Sequence, residues 1–137
     1  MRYDELVVGQ AATLERTVTD GDVVAYAGIT GDDNPVHLDD EVAAKSRFGG
    51  RIAHGMLSAG YISAALGTEL PGPGCIYLGQ TLRFTAPVRI GDTVTTHVQV
   101  TELVPEKRRV KLATRCANQR GETVVEGEAT VLVPEDS

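Results

Sequence analysis

The chain has 137 residues, a length that predicts a single domain over residues 1–137 with a core large enough to fold without disulfide or metal staples. Thirteen Lys and Arg residues against 19 Asp and Glu residues give a net charge of −6, which argues against binding to nucleic acid or to an anionic membrane surface. Hydrophobic residues make up 42% of the chain and charged residues 23%, which is ordinary for a globular protein.

The first third of the chain predicts one strand followed by two short helices. A strand near Ala11–Thr17 comes first. Thr19 is then a candidate N-cap for a helix that Gly31, a residue suited to left-handed backbone, would end. A second short helix is expected from about Asp40 to Phe48, with Asp39 as its cap.

The longest predicted helix runs from Gly55 to about Glu69 and is broken by the Pro71-Gly72-Pro73-Gly74 segment. Its apolar residues cover most of the circumference, a pattern typical of a buried helix. The apolar stretch is too short to span a bilayer, which takes about 20 residues.

After Pro71 the chain alternates between apolar and polar residues. One covered face and one polar face are typical of an antiparallel sheet. We therefore predict an α+β fold in which a long antiparallel sheet curls around one buried helix. Such a sheet leaves apolar edges, so a homodimer is expected. The alternating runs are Ile76–Phe84, Val94–Thr101, Arg109–Cys116 and Val125–Val133.

Two cysteines, Cys75 and Cys116, have neither a CxxC partner nor a spacing typical of metal ligands. They are interpreted as small buried thiols in a reducing compartment. Together with an N-terminus that lacks a cationic and an apolar leader region, this predicts a cytoplasmic protein. No Cys/His cluster indicates a metal site, so no metal is expected.

The chain has only three histidines, so each can be considered in turn as a functional residue. His97 falls on the polar face of a strand and is interpreted as solvated. His37 follows Asp32 by five residues, and Asn34-Pro35 forces a bend between them. A carboxylate and an imidazole facing one point can hold a water and exchange protons with a substrate. The alternative is that Asp32 caps a turn and His37 merely packs nearby.

Gly55 opens the longest helix, where the first N–H groups have no internal partner and the helix dipole is positive. With no Cβ at Gly55, a ligand carbonyl could approach this N–H, as in an oxyanion-type site. The alternative is a glycine needed only for tight entry into the helix. The adjacent His54 is interpreted as structural. Basic residues from Lys107 to Arg115 form either a solvated face or contacts to the phosphates of coenzyme A.

Several segments together resemble one known family. The run Gly31-Asp32-Asp33-Asn34-Pro35-Val36-His37-Leu38-Asp39 resembles the D-x-N-P-x-H signature of MaoC-like, or type 2, enoyl-CoA hydratases. The run Arg51-Ile52-Ala53-His54-Gly55-Met56-Leu57 resembles that family's second signature, and Ile76–Phe84 its following strand. The resemblance covers nearly the whole chain and is nearest to the short, single-domain (R)-specific enzymes.

The resemblance implies a hot-dog fold and a homodimer with an acyl tunnel. It implies hydration of trans-2-enoyl-CoA to (R)-3-hydroxyacyl-CoA by a hydro-lyase with no metal or redox cofactor. Asp32 and His37 would be the catalytic pair, the Gly55 N–H would bind the thioester carbonyl, and Asn34 would fix the loop. The acyl chain would lie along further residues of the helix, namely Leu57, Ile62, Ser63 and Leu66.

Three other functions remain open. A hot-dog thioesterase would share the fold and the Gly55 donor but release free coenzyme A. A dehydratase could instead act on acyl chains held by a carrier protein, although an acidic carrier would be repelled by a net charge of −6. A non-catalytic acyl-CoA-binding module would bind ligand without turnover.

Overall fold

A computed structural model describes residues 1–134, and residues 135–137 of the predicted domain lie outside the described residues. Six strands form one antiparallel sheet in the order β1-β4-β5-β6-β2, and β3 pairs with β6 beside β2. The first and last strands of this order are not paired with each other, so the sheet stays open. The strands are β1 Ala11–Thr17, β2 Ile76–Gln80, β3 Arg83–Phe84, β4 Thr93–Val104, β5 Arg109–Ala117 and β6 Thr123–Leu132.

Four helices lie between β1 and β2. Helix α1 begins as predicted, because the Thr19 side chain accepts a hydrogen bond from the Asp22 N–H. It ends as predicted at Gly31, whose φ of 82° is left-handed. The helices are α1 Asp20–Thr30, α2 Pro35–Leu38, α3 Asp40–Ala44 and α4 Gly55–Thr68.

Two helical segments differ from the prediction. Asp39 caps α3 as expected, but the helix ends at Ala44, short of Phe48. The segment after Asn34, predicted as a turn, forms the one-turn helix α2. It forms because Asn34 caps the N-terminus and Pro35 occupies the first helical position, where its missing N–H costs nothing.

Helix α4 packs against β1, β4, β5 and β6, so the sheet curls around it. Ile62, Ala65 and Leu66 are fully buried on the face toward the sheet. The opposite face is exposed in the single chain, where Met56 is 52% exposed and Ser63 lies open. The α+β layer arrangement is confirmed, and the expected burial of the helix is confirmed on one face only.

The predicted run Ile76–Phe84 is divided into β2 and β3 by Thr81 and Leu82. At the break, the Thr81 N–H donates to the Glu128 carbonyl on β6. A Cβ on Gly127 would lie 1.8 Å from the Thr81 carbonyl oxygen. Only glycine at this position of β6 therefore allows the backbone between β2 and β3 to approach so closely. A glycine inside β6 therefore decides where the neighbouring strand is interrupted.

Both cysteines are free thiols, but only one is fully buried. Cys116 lies in the core with its sulfur 3.3 Å from the Thr96 hydroxyl, and burial raises the pKa of the thiol. Cys75 is half-buried, so the prediction of a buried thiol is wrong there in degree. Within residues 1–134, no helix has the length and apolar character needed to span a membrane.

Candidate active site

The loop after α1 carries Asp32 at the surface and His37 just inside it. The left-handed Gly31 turns the chain out of α1, and the Asn34 side-chain oxygen accepts a hydrogen bond from the Val36 N–H at 3.2 Å. Asp32 is exposed, whereas His37 is only 9% exposed. Asn34 thus caps α2 within the loop for which the family resemblance implies that it has a fixing role.

The imidazole of His37 is oriented by the segment that leads into α4. Its Nδ1 lies 2.7 Å from the Ile52 carbonyl oxygen. Because a carbonyl oxygen only accepts hydrogen bonds, Nδ1 carries the hydrogen of the neutral ring, and Nε2 keeps the free lone pair. This tautomer leaves Nε2 available as a base.

Arg51 holds the backbone around His37. Its Nε donates to the His37 carbonyl oxygen at 2.7 Å, and its terminal nitrogen forms a 2.7 Å ion pair with Asp20. The Arg51 side chain is only 14% exposed. A guanidinium can make both contacts at once because its donors form a rigid fork, so Arg51 ties α2 to the start of α1.

His54, interpreted from sequence as structural, lies directly against the predicted pair. Its ring stacks on His37 with the centroids 3.8 Å apart, and Tyr26 lies 4.5 Å away. Its Nε2 donates to the backbone carbonyl of Asp32 at 2.9 Å. Its Nδ1 is buried and has no hydrogen-bond partner in the described chain.

Asp32, His37 and His54 each present an oxygen or nitrogen within 4.8 Å of the others. That spacing suits one water held between a carboxylate and an imidazole. Two histidines and a carboxylate are also ligands for transition metals. However, each ring uses one nitrogen on a backbone carbonyl, and stacked rings cannot both direct a lone pair to one ion without rotating. The geometry therefore favours a water.

Gly55 begins α4 next to this cluster. Its N–H lies in the first turn, where no intrahelical acceptor exists, and the His54 side chain does not cap it. Gly55 lines a cavity of about 500 Å³ whose walls are largely apolar. The remaining walls come from Arg47, Phe48, Ile52, Ala53, Met56, Ser58, Phe84, Thr85, Ala86, Pro87, Val88, Val124 and Val125.

The predicted acyl-binding residues do not line this cavity in the single chain. Ile62 and Leu66 are fully buried in the core, Leu57 is half-buried and Ser63 lies on the exposed face of α4. The residues that do line it come from the start of α4, from β6, from β3 with the segment after it, and from the segments around Phe48 and Ala53, which are far apart in sequence. Strand alternation could have identified Val125, but no sequence signal identifies Phe48.

The basic hairpin is also separate from this cavity. Arg108 donates to the Val133 carbonyl and lies over the Tyr3 ring, whereas Arg115 bonds Thr123. Arg47 is instead the one charged side chain among the described residues that line the cavity, and its guanidinium carbon lies 5.7 Å from the centre of the Phe48 ring. A cation at the cavity wall suits an anionic ligand.

Comparisons with known proteins agree with this fold. Residues 7–126 match the family model described as "MaoC like domain". The chain is 54% identical over 132 residues to the (R)-specific enoyl-CoA hydratase of Rhodospirillum rubrum, covering 96% of this chain and 91% of the relative. It is 53% identical over 132 residues to the 3-hydroxybutyryl-CoA dehydratase of Methylorubrum extorquens, covering 96% of this chain and 83% of that one.

Among solved structures, the unliganded R-hydratase PhaJ1 from Pseudomonas aeruginosa superposes with a TM-score of 0.93 at 53% identity, covering 98% of this chain and 86% of that one. The sheet curled around α4 is therefore the hot-dog fold of hydratases. The chain belongs to the MaoC-like domain family.

Proposed function

We propose that this protein catalyses the reversible hydration of a trans-2-enoyl-CoA to an (R)-3-hydroxyacyl-CoA. The observation that carries the proposal is the pairing of the Asp32 carboxylate with the His37 imidazole, which offer an oxygen and a ring nitrogen within 4.8 Å of each other. The neutral His37 tautomer, fixed by the Ile52 carbonyl, supplies the base. The names of the two bacterial relatives support this reaction class and, for one, its stereochemistry.

In the proposed mechanism, His37 Nε2 takes a proton from water while the water oxygen bonds to C3 of the substrate. The electron pair of the C2–C3 double bond moves toward the thioester carbonyl, and C2 then receives a proton from the pair. The Asp32 carboxylate orients the water. Water is the only co-substrate and no electrons are exchanged with a second reactant, so the proposed reaction uses no redox cofactor, and the proposed mechanism gives no role to a metal.

The Gly55 N–H would donate to the thioester oxygen as negative charge develops there. The positive end of the α4 dipole adds to this stabilisation, since it lies at the same backbone group. Removing one donor of this type costs roughly 100- to 1000-fold in kcat in other enzymes. The apolar cavity that begins at Gly55 would take the enoyl chain, and Arg47 on its wall suits the phosphates of coenzyme A.

The proposed assembly is a cytoplasmic homodimer. Strand β2 is the last strand of the sheet order and exposes Ile76, Tyr77 and Leu78 by 38–48%. An exposed apolar edge of this kind is normally covered by another chain. Free thiols at Cys75 and Cys116 suit a reducing compartment. Sedimentation velocity would test the dimer, and a sharp monomer peak at micromolar protein would contradict it.

The deciding experiment is a hydration assay with crotonyl-CoA. Loss of the conjugated-thioester absorbance, with formation of the (R)-3-hydroxyacyl thioester in a chiral product assay, is the expected result. Release of free thiol would indicate a thioesterase, and binding without turnover a binding module. Turnover confined to carrier-protein substrates would indicate the other dehydratase class. Formation of the (S)-alcohol would contradict the stereochemical assignment.

A further inference from the structure

We infer that His54 is a positioning residue for the reaction proposed above, on which this inference rests. It does not reach the substrate in this role. Instead it holds both members of the Asp32–His37 pair, one through a hydrogen bond and the other through ring stacking.

The hydrogen bond holds the backbone of Asp32 in place. Asp32 lies on an exposed loop, where its own contacts are local: its N–H bonds the Thr30 hydroxyl, and its carboxylate accepts a long 3.4 Å bond from the Asn34 N–H. The His54 Nε2–H reaches the Asp32 carbonyl from a residue 22 positions away and only 3% exposed. This contact therefore attaches the exposed member of the pair to the buried start of α4.

The ring stacking holds the orientation of the His37 imidazole. The His37 ring is already bonded through Nδ1 to the Ile52 carbonyl, which leaves tilting of the ring as its remaining freedom. His54 lies against the face of that ring with an interplanar angle of 29°, and Tyr26 supports His54 from 4.5 Å away. Together these contacts hold the direction in which His37 Nε2 points.

A purely structural role does not explain why a histidine, with one buried ring nitrogen that has no partner in the described chain, occupies position 54. Its Nδ1 is buried without a partner, and an unsatisfied buried nitrogen lowers stability. An apolar side chain of similar size would fill the space without that penalty. Only a flat ring with a donor at the Nε2 position makes both contacts, so the penalty is explained if the contacts serve catalysis.

The test compares three substitutions of His54. His54→Gln keeps a side-chain N–H that can reach the Asp32 carbonyl, His54→Phe keeps a stacking ring without a donor, and His54→Leu keeps neither. Because small misplacements of reacting groups cost about a hundredfold, we expect His54→Leu to lower kcat for crotonyl-CoA by roughly that factor, with KM nearly unchanged. His54→Gln and His54→Phe should each restore part of the loss. The melting temperature should not fall in step with kcat.

A second readout is long-range ¹H–¹⁵N NMR of the imidazoles in the wild type and the three variants. We expect a hydrogen on Nδ1 of His37 and on Nε2 of His54 in the wild type, and exchange broadening of the His37 resonances in His54→Leu. His97→Gln, on the polar face of β4, is the matched control and should change neither kcat nor these signals.

Near wild-type kcat in His54→Leu would overturn the inference. So would a loss of kcat that follows the loss of folded protein and is not reduced by His54→Gln. If His54→Leu does not fold, the inference is tested by the kcat values of folded His54→Gln and His54→Phe. Both values should lie below that of the wild type, and wild-type kcat in both variants would overturn the inference. If the wild type does not hydrate crotonyl-CoA, the proposed function fails, whereas the tautomers measured by NMR still test the geometry independently.

Discussion

A Cβ atom on Gly55 would lie 2.7 Å from Cδ1 of Phe84, closer than side chains pack in proteins. The Phe84 ring therefore covers the first turn of α4 at the mouth of the cavity, and Gly55 is the residue that permits it. The same absence of a Cβ leaves the Gly55 N–H open to a ligand. A Cβ here would have to displace the Phe84 ring, which is 54% exposed, so the glycine permits the close approach of β3 to α4.

We expect Gly55→Ala to lower kcat for crotonyl-CoA by roughly 100-fold, because the displaced Phe84 ring would enter the space of the thioester and disturb the donor. The double variant Gly55→Ala/Phe84→Ala should recover part of this loss. Gly67→Ala lies in the same helix with nothing within 4 Å of its new Cβ. This control should keep activity and gain about 0.5–1 kcal/mol in the free energy of unfolding. Full activity in Gly55→Ala would contradict the donor role.

Asp32→Asn and His37→Gln should each lower kcat by about 100- to 10,000-fold, since each removes one proton-transfer group. Steady-state kinetics with crotonyl-CoA and circular dichroism of the folded variants check this. Asp33→Asn is the matched control, because Asp33 is the adjacent exposed carboxylate and lies outside the compact cluster. Equal losses in Asp33→Asn and Asp32→Asn would refute the assignment of Asp32 to the catalytic pair.

Arg51→Lys should lower kcat several-fold and the free energy of unfolding by about 1–3 kcal/mol. A lysine keeps the charge but lacks the fork that reaches the His37 carbonyl and Asp20 together. Urea denaturation and crotonyl-CoA kinetics measure the two effects. Arg120→Lys, whose ion-pair contacts of 3.8–3.9 Å are made by a side chain 58% exposed, should change neither. Comparable effects of the two variants would show that the fork is unimportant.

Arg47→Gln tests the direction from which coenzyme A enters. With crotonyl-CoA, kcat/KM should fall about tenfold, as expected for one lost charge-assisted contact. With crotonyl-pantetheine, which carries no phosphate, it should not change. Lys107→Gln, in the hairpin that does not line the cavity, serves as the control. A selective loss in Lys107→Gln instead would place the phosphates at the hairpin.

Because its thiol is buried, Cys116 should lower the free energy of unfolding at high pH. Burial raises the pKa of its thiol above the ordinary value of 9.0, so the native state keeps its proton while the unfolded chain loses it. Stability from this group is complete below pH 9.0 and decreases above it, by at most about 1.4 kcal/mol per pH unit. The difference in unfolding free energy between wild type and Cys116→Ala, measured from pH 7 to 10.5, should shrink toward high pH. A constant difference would contradict this.

Local signals in the sequence were sufficient for most of the elements, although not for α2, the end of α3 or the division between β2 and β3. The Thr19 cap, the left-handed Gly31 and the alternating strands depend on residues a few positions apart, so their preferences act before any tertiary contact forms. The bend that brings Asp32 near His37 is of the same kind, because Asn34 and Pro35 specify it within five residues. The family resemblance added the role of each residue.

Only the tertiary structure decided the chemical state and surroundings of the site. The His37 tautomer depends on a carbonyl 15 residues away, and the anchoring of Asp32 on an imidazole 22 residues away. The cavity walls come from the start of α4, from β6, from β3 with the segment that follows it, and from the segments around Phe48 and Ala53, whereas Ile62 and Leu66 further along α4 are used by the core. Such contacts join elements that no local pattern relates, so they exist only once the sheet has curled around the helix.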